Sequence, residues 1–409
     1  MDFERNLEKY AELAVKAGVN IQKGQFLWIS AATGTEHFVR KVVKQAYLAG
    51  AGDVHVQWYD EEVKRTHYEL APDTAFEQFP SWLAGAFDEV AEKEGAFLQI
   101  EADDPDLLKG IPPKRLLAFE KAKGNALESF YDAIETDLIS WSIIAIPSQK
   151  WADKVFSDLP EEERMPALWT TIFEAVRINE EDPVGEWKKH IDALQSKAEE
   201  LNEKHFWKLH YTAPGTDLTI ELPEKHLWLT GSSTNKQGTI FIANMPTEEV
   251  YTVPLKNGVN GHVTSTKPLA YQGNVIENFK LTFEEGKIIK AEAEAGQELL
   301  DKILETDDGA SYLGEAALVP HKSPISETGI LFFNTLFDEN ASNHLAIGSS
   351  YPTCYEGGQN LSEEERKSAG LNDSIVHEDF MIGSDKMDIE GIYKDGSKEA
   401  IFRNGNWAF

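Results

Sequence analysis

Hydrophobic and polar positions alternate along the chain in two different ways, and the change falls near the middle. In the first half, apolar residues recur at helical spacing between short continuous apolar runs. Leu7, Tyr10, Ala11, Ala14 and Val15 mark one face of a helix, with Asp2 as its N-cap and Gly18 as its stop. F-L-W-I-S, from Phe26 to Ser30, then predicts a buried strand. A second amphipathic helix runs from about Thr35 to Leu48 and closes at Gly50, and the stretch from Asp53 to Tyr59 predicts the next strand. Two more strands follow at A-F-L-Q-I-E (96–101) and S-W-S-I-I-A-I-P (140–147), each set off by helical segments. Strands spaced by helices pair in parallel through right-handed crossovers. Residues 1–205 are therefore expected to form an α/β, Rossmann-like domain on an open, mainly parallel sheet.

From about Val184 to His205 the pattern is one charged helix with a narrow apolar stripe, which reads as a connector. Beyond it the period changes to two. W-K-L-H-Y-T, D-L-T-I-E-L and T-I-F-I-A-N are short strands between turn residues. N-F-K-L-T-F-E-E-G-K-I-I-K predicts a hairpin turning at Glu285-Gly286, and a second hairpin near the end turns at Asp395-Gly396. Residues 206–409 are expected to be an α+β, mainly antiparallel domain, and all the candidate ligands below fall in it.

Composition narrows the partners. A chain of 409 residues with 41% hydrophobic content is long for one core, which agrees with two domains. The formal net charge of -31 argues against nucleic acid and anionic membranes as partners. It favours cations, such as divalent metals or the ammonium end of a peptide, although the same imbalance also serves solubility. No stretch approaches the roughly 20 apolar residues that span a bilayer, and the first residues lack a signal-peptide pattern, so a cytoplasmic location is expected. The single cysteine, Cys354, has no internal partner for a disulfide and is read as a bystander. After the first strand comes A-A-T-G-T-E, which lacks G-x-G-x-x-G. A nucleotide-dependent oxidoreductase built on this sheet would therefore be without its usual phosphate signature.

The chemistry gathers between His344 and Asp379. The stretch opens with H-L-A-I-G-S-S-Y and closes with H-E-D-F-M-I-G, separated by a charged insert, L-S-E-E-E-R-K-S, that resembles a surface loop. In an extended strand His377 and Asp379 leave on one face while Glu378 points away. Such an H-x-D pair also arises by chance and needs partners. Glu249, in N-M-P-T-E-E-V-Y-T-V-P, and Glu315, in Y-L-G-E-A-A-L-V-P, are candidates. A carboxylate in the apolar run around Glu315 is costly unless it is paired or coordinated. These carboxylates and imidazoles exceed the needs of one zinc ion and suit two adjacent divalent ions with a bridging carboxylate. Oxygen and imidazole donors without thiolate suit zinc, cobalt or manganese.

The order and spacing of E-V-Y-T-x-P, G-E-x-A-L-V-P, N-H-L-A-x-G-x-x-Y and H-x-D-x-M-I-G resembles the thermophilic aminopeptidase family of metallopeptidases, typified by aminopeptidases T and S, over essentially the whole chain. The resemblance implies metal ligands at Glu249, Glu315, His344, His377 and Asp379, and an active-site tyrosine at Tyr351. It further implies cobalt- or zinc-dependent removal of the N-terminal residue from peptides with a free N-terminus, broad residue preference, and a homodimer whose active sites open into an internal cavity. On that basis Glu315 is expected to bridge two ions that together activate a water. Tyr351 is expected to donate its O–H to the developing oxyanion, a contribution of about 2.7 to 4 kcal/mol for such donors. Glu249 or its neighbour Glu248 would relay a proton to the leaving amine. The rival from another class is a metal or peptide receptor without turnover.

Overall fold

The computed structural model describes residues 3–271 and 273–409. By contacts they group into two compact units, Met1–Ile191 with Gly231–Pro246, and Asp192–Thr230 with Thr247–Phe409.

In the first unit the apolar runs are strands β1 (Phe26–Ala32), β2 (Asp53–Tyr59), β3 (Ala96–Glu101) and β4 (Ser140–Ala145). β1 pairs in parallel with both β2 and β3, and β3 with β4. The alternation of strands and helices thus gives the expected open parallel sheet. Leu27, Trp28 and Ile29 are consecutive buried residues in β1, as a parallel strand covered on both faces requires. Trp28, Val90, Phe130 and Ile139 form one apolar cluster, extended by Phe87 and Phe97. The first helix spans Phe3–Leu13 and continues as a π-helical turn to Gly18; Asp2 lies outside the described residues. Its Tyr10 O–H donates to the Ala145 carbonyl at 2.9 Å. The second helix, Glu36–Ala49, ends as the sequence indicates, with Gly50 in the left-handed region at φ 104°. A short strand, Asn244–Met245, adds to the edge of the sheet beside β4 although it comes much later in the chain.

The charged helix runs from Pro183 to Lys204, and the division by contacts falls within it. The second unit holds an eight-stranded antiparallel sheet and a five-stranded antiparallel one. The two expected hairpins both belong to the larger sheet, pairing Lys280–Glu284 with Lys287–Glu292 and Asp388–Ile392 with Lys398–Arg403. At the first turn Glu285 and Gly286 both have positive φ, as a type I′ turn requires.

The smaller sheet carries the chemistry. Its strands are β5 (Val250–Thr252), β6 (Leu313–Leu318), β7 (His344–Gly348) and β8 (His377–Met381), in the order β8, β7, β6, β5 followed by Leu229–Thr230. Every residue of β6 and β7 is buried. The register is fixed partly by close backbone approach. A Cβ at Gly348, which has φ 106°, would collide with the Val376 carbonyl, and one at Gly314 would collide with that of Ser349. Between Leu313 and Glu315 the β6–β7 register shifts, a bulge that sets the aim of Glu315. The charged insert is not an open loop throughout. Glu363–Ser368 is a short helix with a capping box between Ser362 and Glu365, because S-E-E-E supplies both halves of that motif. Among the described residues no helix is long and apolar enough to cross a membrane.

Candidate metal centre

In the β6–β7–β8 ladder Glu315 lies opposite Ala346, and Ala346 lies opposite Asp379. Two residues along, on the same face, His377 lies opposite Gly348. The sheet face between Glu315 and Asp379 is therefore floored by residues with little or no side chain, and the larger groups lean over it. His344 stands on the same face, opposite Ala317 on one side and Met381 on the other. Glu249 arrives from the residue just before β5. Glu378, opposite Ile347, belongs to the other face, as the period of two requires.

These side chains converge. His344 Nε2 is 3.2 Å from Glu249 Oε2, 3.6 Å from Glu315 Oε1 and 4.0 Å from Asp379 Oδ1. His377 Nε2 is 3.5 Å from Glu315 Oε2 and 3.8 Å from Asp379 Oδ1. Donor atoms of Glu249, Glu315 and His344 form one compact group, and those of Glu315, His377 and Asp379 a second, with Glu315 common to both. Glu249, Glu315 and His344 are almost completely buried.

The two imidazoles show how the group fits a cation. His344 donates from Nδ1 to the Ser342 carbonyl at 3.1 Å, and His377 from Nδ1 to the Ser349 carbonyl at 2.8 Å. With Nδ1–H engaged, each Nε2 presents its lone pair to carboxylate oxygens, so a proton or a metal ion must lie between them. Asp379 Oδ1 is buried without a hydrogen-bond partner among the described residues, an oxygen equally in want of a cation.

The electrostatics agree. Burial works against charge on His377, but Asp379 and Glu315 outweigh it and raise its pKa to about 10. Burial is likewise overcome at His344, whose pKa Glu249 and Glu315 lift well above that of free histidine. Burial pushes the Glu315 carboxyl up, but hydrogen bonds with His344 and His377 prevail and hold it down at about 2. Burial raises Glu249 and Asp379. Without metal the cluster is a store of protons held by crowded carboxylates.

Tyr351 lies at the rim, 37% exposed, its ring 4.8 Å from that of His377 and 6.0 Å from that of Tyr251. Glu248 is buried, and its backbone N–H donates to Asn340 Oδ1 at 2.7 Å. Cys354 is buried beside Val253 and Leu371. Neither His262 nor His321 belongs to the ligand groups.

Glu339 is a member of the cluster that sequence reasoning missed. It is buried, and burial, with Asp379 and Glu249 nearby, raises its carboxyl well above the ordinary range. Its one sequence signal is its place in D-E-N-A-S-N-H, just upstream of His344.

Residues 3–407 match the profile of a family described as thermophilic metalloprotease (M29). The chain is 54% identical over 407 residues to aminopeptidase AmpS of Bacillus subtilis, covering all of this chain and 99% of that protein. It is 49% identical over 407 residues to aminopeptidase 2 of Geobacillus stearothermophilus, covering all of this chain and 98% of the relative. A solved structure of wild-type AmpT from Thermus thermophilus superposes with a TM-score of 0.93 at 40% identity, each chain covered in full.

Proposed function

Since the chain belongs to the thermophilic metalloprotease (M29) family, we propose that it is an aminopeptidase that removes the N-terminal residue of peptides using two divalent ions, zinc, cobalt or manganese. Glu249, Glu315 and His344 would hold one ion, and Glu315, His377 and Asp379 the other. The observation that carries this reading is the pair of imidazole Nε2 atoms turned on buried carboxylates, with both Nδ1 atoms already donating to backbone carbonyls. Bound there, such ions act as Lewis acids and supply a water that ionises near neutral pH.

The chain's own side chains account for the rest. Tyr351, at the exposed rim, donates its O–H to the oxyanion that develops on the scissile carbonyl. Glu339, a buried carboxyl beside Asp379 and Glu249, joins Glu249 as a group that carries a proton to the leaving amine. Glu249, 3.2 Å from His344 Nε2, both ligates and relays a proton. The excess of buried carboxyl groups favours a substrate end that carries an α-ammonium over one that is blocked. The catalytic unit is the C-terminal, mainly antiparallel domain; the enzyme is a homodimer and works in the cytoplasm.

Crystals grown with added metal and measured at the absorption edges of zinc, cobalt and manganese give the number, identity and ligands of the ions. Hydrolysis of leucine p-nitroanilide, with none of its N-acetyl derivative, is the expected activity. Cleavage of both at equal rates would mean an endopeptidase. Replacing Tyr351 by Phe is expected to lower kcat about 10²- to 10³-fold with metal content unchanged.

A further inference from the structure

We propose that Asn340 is a positioning residue that aims two carboxyl groups of the metal cluster at once, a role that rests on the metallopeptidase reading above. Its side chain is completely buried. Oδ1 accepts the backbone N–H of Glu248 at 2.7 Å. Nδ2 donates to the Leu336 carbonyl at 3.0 Å and to Glu339 Oε1 at 3.2 Å. Its backbone carbonyl accepts from Ser323 Oγ at 3.1 Å, which anchors the residue from a third segment.

Both ends of the amide act on the cluster. Thr247, Glu248 and Glu249 immediately precede β5, whose ladder pairing begins at Val250. The hydrogen bond from Glu248 N–H therefore restrains the peptide immediately before Glu249, and with it the approach of the Glu249 carboxylate to His344. At the other end, Nδ2 holds one oxygen of Glu339, whose buried carboxyl lies beside Asp379. Glu249 and Asp379 belong to different ligand groups, so a single planar amide ties the two halves of the centre together.

The task needs an acceptor and a donor on one short, rigid group, which is what asparagine offers. Aspartate keeps the acceptor for Glu248 N–H but replaces the donor with a second carboxylate facing Glu339. Alanine removes both and leaves Glu248 N–H and the Leu336 carbonyl without their partner in a dry interior. Groups that orient metal ligands from behind typically change metal affinity or activity by about 10- to 100-fold when altered.

The test is titration of the metal-free protein with cobalt(II), followed by its visible absorption, with kcat and KM measured separately on leucine p-nitroanilide. Asn340→Asp is expected to bind cobalt with an altered absorption band and to lose about 10- to 100-fold in kcat with little change in KM. Asn340→Ala is expected to lose a similar factor in cobalt affinity as well. A wild-type spectrum, affinity and kcat in Asn340→Asp would overturn the proposal, even if Asn340→Ala failed to fold. So would a loss confined to thermal stability. If wild-type protein took up no cobalt, or His344→Ala took it up equally well, the metal centre itself would fall and the role of Asn340 with it. That pattern is distinct from normal wild-type binding with unperturbed Asn340 variants.

Discussion

Glu315 Oε2 stands 3.5 Å from His377 Nε2, although β6 and β8, which carry them, are not hydrogen-bonded to each other. β7 lies between, and its residues opposite these two are Ala346 and Gly348. A carboxylate and an imidazole meet across an intervening strand because that strand offers almost no side chain there.

Filling this space should expel the metal without removing a ligand. Ala346→Leu is expected to cost about 1–3 kcal/mol in stability, as overpacking usually does, and to reduce bound metal to near zero. Metal counting on the purified, folded variant checks this; normal metal content would show that the floor of the site is not where the ions sit.

The two faces of β8 should respond oppositely. His344→Ala and Asp379→Ala are expected to abolish peptidase activity while the fold survives. Glu378→Gln should leave activity intact, because Glu378 lies on the other face. Burial there pushes its carboxyl up to about 8, so an ionised Glu378 at neutral pH is already unfavourable and its loss should not destabilise the protein. Equal damage from Glu378→Gln and Asp379→Ala would refute the assignment of faces.

Metal uptake should release protons. His377 keeps its proton up to about pH 10 in the metal-free cluster, held against burial by Asp379 and Glu315, and His344 is raised likewise. At pH 7 an incoming ion must displace these protons, so apparent affinity should rise with pH until about 10 and then level off. Calorimetric titration in buffers of different ionisation enthalpy measures the release. Binding at pH 7 with none would contradict the raised pKa values.

Away from the site, His226 should make the protein acid-sensitive. It is buried and stacked on His205 with ring centroids 4.7 Å apart, its Nδ1–H donates to the Pro223 carbonyl, and Nε2 has no partner among the described residues. Burial lowers its pKa from 6.5 to about 4. Between those values the unfolded chain binds the extra proton and the folded chain does not, so stability falls as pH drops through the window. The full effect is of the order of 3 kcal/mol, from about 1.4 kcal/mol per pKa unit. Denaturant unfolding at pH 7 and pH 4 should show a smaller difference in His226→Phe than in wild type; identical differences would remove His226 as a cause.

Period and composition sufficed for what is local. The helix ending at Gly50, the parallel strands, the turn at Glu285-Gly286 and the shared face of His377 and Asp379 each follow from neighbours a few residues apart. Glu315 stood out because a carboxylate in an apolar strand demands a partner. Glu339 and Asn340 did not, since they sit in a 3-10 turn whose direction depends on what it packs against. Nor does any local pattern assign the strand Asn244–Met245 to the parallel sheet beside β4. Distance, register and the small residues that face Glu315 and His377 across β7 are relations between segments remote in the chain. Local spacing fixes which face a side chain leaves from, and only the packed sheet decides what it meets there.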